Sequence, residues 1–369
     1  MNPQPLFCSN LACASRGRQA ASNIALHQSL TDRYICTDCE ATFVARKGTL
    51  FYRLRTDPKI VVQVVTLLAL GCPRPAVVVA FGLDERTVAR WHRKAGEHCE
   101  RLHHSLVMQP RHDLQQVQAD EIRVKMQRRL IVWMAMAVQA PTRLWLGGVI
   151  SPQRDKHLIR ALAAKVKACA QFRPILLVSD GLVQYGKAWR RAFRTPLRTG
   201  QQGRPPLIAW PDVYIGQVLK QKKAGRVVGV LQRLVQGTTQ QIKTLMPDGQ
   251  ILNTAYIERL NATFRSRLTP LVRRGRALAR QVPTLQAGMY LVGCVYNFCT
   301  FHQSLREEQA DGPCKWRERT PAMAAGITTE CWSVRELLEY RLPPEPGVPK
   351  RRRRHNPNAP LRTLIGAAR

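Results

Sequence analysis

Between residues 115 and 181 the side-chain pattern restricts the fold more tightly than anything else in the chain. Gln115–Lys125, Leu130–Gln139 and Arg143–Ser151 are rich in Val, Ile and Trp, and only Arg128-Arg129 and Ala140-Pro141 separate them. Three such runs on short links form an antiparallel meander. Lys156–Ala170 then carries helical spacing, and an unbroken apolar run from Pro174 to Ser179 closes on Asp180 and Gly181. A run without alternation suits a strand covered on both faces, and a helix between strands implies a right-handed crossover, so a mixed sheet is expected.

The rest of the chain extends that order. Tyr185–Phe193 reads as a helix and Val227–Val235 as a further strand. The Gly-, Pro-, Arg- and Lys-rich residues 195–225 between them read as a basic loop or a surface insertion. In Tyr256–Arg267 the apolar Ile257, Leu260, Phe264 and Leu268 fall at helical spacing, with Glu258, Asn261 and Arg265 on the neighbouring stripe. Leu285–Phe301 is a long apolar helix ending at His302, and Val334–Tyr340 is a short one. Strand–strand–strand–helix–strand–helix–strand–helix is the order of a ribonuclease H-like α/β fold.

Upstream the character differs. Cys8-x4-Cys13, twenty-two residues, then Cys36-x2-Cys39 places four thiols in two short-spaced pairs. Such pairs can close a tetrahedron around structural zinc, with Ile24, Leu26, Tyr34 and Ile35 supplying a small two-stranded ribbon. The remaining seven of the eleven cysteines are scattered, which suits buried thiols in a reducing cytoplasm rather than disulfides. Residues 57–98 read as three helices, from Ile60, over Arg74–Phe81 and over Asp84–Cys99. Gly82 sits at the turn and Asp84 is a candidate N-cap. Val88 and Trp91 face inward, while Arg86, Thr87, Arg90, Arg93 and Lys94 make an outward basic face, the arrangement of a helix-turn-helix.

Lys and Arg number 58 against 24 Asp and Glu, a net +34 spread along the chain. A polyanion is therefore the expected partner, and double-stranded DNA is favoured over a membrane because no apolar run is long enough to span a bilayer. In such a chain, three carboxylates stand where a site would form. Asp120 lies within the first strand, Asp180 closes the fourth, and Glu258 rides on the helix after the last. Oxygen ligands suit Mg²⁺ or Mn²⁺. Glu121, Asp155, Asp212 and Asp248 rank lower, being placed on loops or on the opposite strand face.

The concatenation of blocks resembles the DDE-type transposases of bacterial insertion sequences that carry a zinc ribbon and a helix-turn-helix. Gln118-Ala119-Asp120-Glu121 resembles the block of the first family aspartate, Val178-Ser179-Asp180-Gly181 that of the second, and Asn253 to Arg265 the glutamate motif. Tyr296 to Arg306 and Arg319 to Gly326 resemble two further blocks. The resemblance implies a zinc ribbon over 1–50, a helix-turn-helix over 57–105 and a catalytic core over 112–305 with a basic insertion near 195–250. A helical extension over 306–345 and a basic tail over 346–369, expected to be disordered, complete the chain. It also implies a nucleoid-associated enzyme that binds element ends, frees 3′-hydroxyls and joins them to target DNA, as a homo-oligomer when two ends are paired. Asp120, Asp180 and Glu258 would hold Mg²⁺, with Arg259, Asn261, Arg265 and His302 in support; His302 could instead be a cation at a helix C-terminus. A noncatalytic DNA-binding regulator, and an integrase or nuclease on the same fold, are the alternatives. The 77 residues between Asp180 and Glu258 exceed the compact spacing usual in several such groups.

Overall fold

The computed structural model describes the chain except residues 1–5, 19–21, 199, 201–202, 224–225, 247–250, 273–277, 310–314 and 343–369. The basic tail over 346–369 therefore lies outside the described residues, as does Asp248. The chain divides into two compact units, one holding residues 5–45 and the other residues 46–342.

The small unit is a three-stranded antiparallel sheet of β1 (Ile24–Gln28), β2 (Arg33–Cys36) and β3 (Thr42–Val44), one strand more than the expected ribbon. Its buried cluster is made of Cys8, Cys13 and Cys36, with Ile24 and Cys39 against them. Leu11, Leu26 and Leu30 are exposed. Phe7 and Phe43 are the other buried apolar residues among those described, a small core for which a metal held by the cysteines would compensate.

In the large unit, Asp57 accepts from the Lys59 amide and Pro58 takes the first position of α1 (Pro58–Ala69). Next come α2 (Arg74–Phe81), the left-handed Gly82 at φ 59°, and α3 (Glu85–His103), capped by Asp84 through the Thr87 amide. The meander follows as β4 (Gln116–Lys125), β5 (Ile131–Gln139) and β6 (Trp145–Ser151). α4 (Lys156–Cys169) crosses to β7 (Ile175–Asp180), and α5 (Val183–Ala192) leads to the short pair β8 (Arg194–Pro196) and β9 (Leu207–Ala209). β10 (Val213–Lys223) and β11 (Arg226–Gln236) form a long hairpin. α6 (Thr239–Lys243), α7 (Ala255–Arg267) and α8 (Val282–Cys299) precede β12 (Glu307–Glu308), β13 (Trp316–Arg317), α9 (Pro321–Ala324) and α10 (Val334–Glu339).

The sheet is mixed, in the order β11-β10-β7-β4-β5-β6. β4, β7 and β10 run parallel at its centre, and β5, β6 and β11 join antiparallel. Ile175 to Ser179 are all buried, as an unbroken apolar run demands. No helix among the described residues is long and apolar enough to cross a membrane.

Two sequence expectations need correcting. The last central strand is β10, inside residues 195–225 read as a basic loop, and the stretch 227–235 is the antiparallel edge beyond it. Only the first half of β10 is buried, from Val213 to Val218; its lysine-rich second half runs beyond the end of β7, so its composition imitates a loop. The helices of residues 57–105 do not enclose a core of their own. Val61, Val88 and Trp91 join the same buried cluster as the sheet, and α3 lies against α8 so closely that a Cβ on Gly96 would meet Ala287 at 2.4 Å. A Cβ on Gly293 of α8 would meet Trp145 of β6 at 2.1 Å, so glycine sets this contact too.

Candidate metal centres and a basic cleft

The register of the central strands builds the carboxylate site. β4 pairs with β7 from Gln116 opposite Leu176 to Ala119 opposite Ser179, so the next step sets Asp120 beside Asp180, the last residue of β7. The turn beyond is held by buried Gln217 of β10, whose amide donates to the carbonyls of Asp180 and Leu182 at 3.0 and 2.9 Å. Asp180 Oδ1 in turn accepts from the Leu182 amide.

Alternation along β4 then assigns faces. Gln118 and Asp120 share one face, and α7 docks there. Gln118 is fully buried, and its Oε1 accepts from the Tyr256 and Ile257 amides at 3.0 and 3.1 Å, satisfying donors at the start of α7 that its own N-cap leaves open. One turn on, Asn261 donates to Asp120 Oδ2 at 2.8 Å. The pair of bonds fixes α7 on β4 and brings Glu258 to the site. The Glu258 side chain is 46% exposed and accepts from Lys220 of β10 and from Thr254 at 2.6 Å. Burial raises its pKa, but those two hydrogen bonds outweigh burial and hold it low.

Glu121 corrects the sequence ranking. It points to the other face, as expected, yet β7 has ended there and its carboxylate joins the cluster: ligand atoms of Asp120, Glu121 and Asp180 all lie within 4.8 Å of one another. Arg154, not singled out in the sequence, donates to Glu121 at 2.5 Å and reaches Asp180 at 3.4 Å, with its guanidinium over Trp133. Tyr185 supplies a second hydrogen bond to Glu121 at 2.9 Å. The remaining lower-ranked acids serve local structure: Asp155 caps α4, and Asp212 accepts from Tyr214.

Charge decides what this cluster accepts. Four carboxylates, Asp120, Glu121, Asp180 and Glu258, face the cations Arg154 and Lys220, leaving negative charge in excess. Burial first, then Glu121, Asp180 and Glu258, pushes Asp120 up to about 6. Burial and Asp180 likewise raise Glu121. Asp120, Glu121 and Asp180 are the acids whose ligand atoms lie together; Glu258 stands outside that group, paired with Lys220 and Thr254, and acts on Asp120 through its charge. An all-oxygen set with surplus negative charge fits a hard divalent cation.

The thiol site fits a different ion. Cys8 and Cys39 lie 3.6 Å apart and Cys13 and Cys36 3.8 Å, measured between Sγ atoms. A tetrahedron with Zn–S near 2.3 Å has edges of about 3.8 Å. The Asn10 amide and the Asn23 side chain donate to Cys8 and Cys36. The Ala41 amide, aided by Asn10, lowers Cys39 to about 7, favouring the thiolate. None of the described cysteines is in a disulfide.

The remaining candidates are dispersed. Arg86, Arg90 and Arg93 of α3 are exposed and line a cleft of about 1360 Å³ with Arg128, Arg267 and Arg280. Thr87 is half-buried, and Lys94 is turned inward, donating to the Tyr52 carbonyl at 2.6 Å. His302 is no helix-end cation. Burial, then Arg259, Arg267 and Arg143, lowers it to about 4, and its ring packs on Tyr296 at 4.6 Å. Arg259 is exposed and Arg265 half-buried on α7.

Gln118, Arg154 and Gln217 are the positioning residues that sequence reading missed. Of these, only Gln118 carried a signal, its spacing of two from Asp120 on a strand. Compared with known proteins, the chain matches no family profile and no curated sequence.

Proposed function

We propose that this protein is a metal-dependent DNA transposase of the DDE type, with a ribonuclease H-like catalytic core. The observation that carries the reading is the register pairing Asp120 with Asp180 on neighbouring parallel strands while Asn261 and Gln118 seat the helix of Glu258 against them. Three meander strands followed by two parallel strands reached through helices, with the first strand central, support that fold.

Asp120 and Asp180, whose ligand atoms lie together with those of Glu121, would hold Mg²⁺ or Mn²⁺ with Glu258 closing in from α7, and Cys8, Cys13, Cys36 and Cys39 would hold zinc. When bound, divalent ions at the carboxylates activate an attacking water or 3′-hydroxyl and offset charge on the leaving oxygen. Asn261 orients Asp120, Gln217 holds the Asp180 turn, and Arg154 stands over the site as a cation for a phosphodiester. Arg86, Arg90 and Arg93 on α3, the second helix of a helix-turn-helix, would contact the element ends.

Glu258→Gln and Asp180→Asn test the assignment by cleavage of end-bearing duplex in Mg²⁺. Both should lose at least about 10²-fold in rate with duplex affinity retained. Parental cleavage by either variant would remove the catalytic reading and leave a DNA-binding regulator.

A further inference from the structure

α7 has two polar flanks, and the site described above uses one. At 100° per residue, Glu258, Asn261 and Arg265 lie on one side of the buried stripe, and Tyr256, Arg259, Thr263 and Arg267 on the other. Between them runs an exposed ridge of small residues, Ala255, Ala262 and Ser266.

On the unused flank cations gather. Arg143, in the loop before β6, takes the left-handed conformation at φ 60°, which is strained for a residue with a Cβ. Its guanidinium lies 3.5 Å from the centre of the Tyr256 ring. Arg267 is steadied by Thr300 at 3.1 Å. Arg259, exposed on α7, acts electrostatically on Arg143, Tyr296 and His302. His302 forms a wall: its amide donates to the Arg319 carbonyl, its ring meets Tyr296, and its buried Nε2 has no partner. The same three arginines help keep it neutral.

No carboxylate among the described residues answers this charge. Among the described residues none of Arg143, Arg259 and Arg267 forms an ion pair, whereas Arg154, Lys220 and Arg319 each do. Arg259 acts against the charge of the half-buried Arg143, and both share the neighbourhood of Tyr296 and His302 with the half-buried Arg267. An external anion removes that repulsion, and planar guanidinium forks fit phosphate oxygens.

We propose that Arg143, Arg259 and Arg267 form a second anion site that takes a backbone phosphodiester of a nucleic-acid strand about three nucleotides from the phosphate that lies at the carboxylates. This rests on the nucleic-acid reading of the protein. An α-helix is about 10–12 Å across, about three nucleotides at a rise of 3.4 Å. The small ridge residues of α7 let a strand cross it closely, one phosphate on each flank. The site sets register along the strand rather than reading sequence.

The test is duplex binding by the full chain without added divalent ion, followed by fluorescence anisotropy from 50 to 200 mM salt. Arg143→Gln and Arg259→Gln should each weaken binding about 5–10-fold on every sequence and make the log–log salt slope shallower by about 1. Parental affinity and slope in Arg259→Gln, together with either the same result or misfolding in Arg143→Gln, overturns the site and leaves the nucleic-acid reading standing. A parent that binds no duplex at any salt removes both.

Discussion

The thiol cluster and the carboxylate cluster are built in opposite ways. Cys8, Cys13, Cys36 and Cys39 belong to one short stretch and are themselves the buried centre of their unit. Asp120, Asp180 and Glu258 come from two strands and a helix spread over more than a hundred residues, seated on a large apolar core that exists without them. The first site makes its fold, and the fold makes the second. A metal at the thiols would therefore contribute folding free energy, while charge at the carboxylates detracts from it.

Chelation should show the largest effect. Structural zinc contributes about 10–16 kcal/mol in small zinc domains, so removing it should unfold residues 6–45 while the sheet of the large unit persists. Amide hydrogen exchange before and after chelation separates the two units. Protection surviving in both would erase the contrast.

Within the carboxylate cluster, the two ion pairs should differ. Glu121 is fully buried, so Arg154→Ala strands a charge that Tyr185 alone cannot satisfy and should cost about 2–4 kcal/mol in urea unfolding. Lys220 and Glu258 are both well exposed, and Lys220→Ala should cost at most about 1 kcal/mol. Equal costs would mean that Arg154 acts as a surface cation.

The one effect expected to be a gain falls at Asp120. Asp120 is raised from 3.8 to about 6, so the folded chain binds a proton that the unfolded chain has released between those values. Metal-free stability then falls as pH rises through that window, and the full penalty is present above it. Asp120→Asn should stabilise the metal-free protein at pH 7 by about 1–3 kcal/mol, with no gain below pH 4. Divalent-ion affinity should climb with pH and level off above about 6. Thermal unfolding across pH and calorimetric titration with Mg²⁺ check the two halves, and loss of stability in Asp120→Asn at pH 7 would reverse the sign of the argument.

Legibility follows the same division. The meander, α4 and β7 could be read because buried elements write their period into the sequence, as Ile175 to Ser179 do. β10 could not, since its outer half is hydrophilic where it passes the end of β7. Glu121 was ranked low on a correct rule, alternation, which does not say where the neighbouring strand stops.

By itself the sequence determined the mixed α/β order, the local cysteine tetrad, the excess of positive charge and the three acids worth watching. These depend on neighbours in the chain or on composition. Only the tertiary structure decided that the register carries Asp120 to Asp180, that Glu121 shares their cluster through Arg154, that Gln118 caps the helix carrying Glu258, and that three arginines gather on one flank of α7 with no ion pair among the described residues. Register, strand ends and helix docking are settled by packing between segments far apart in sequence, and no local pattern encodes them.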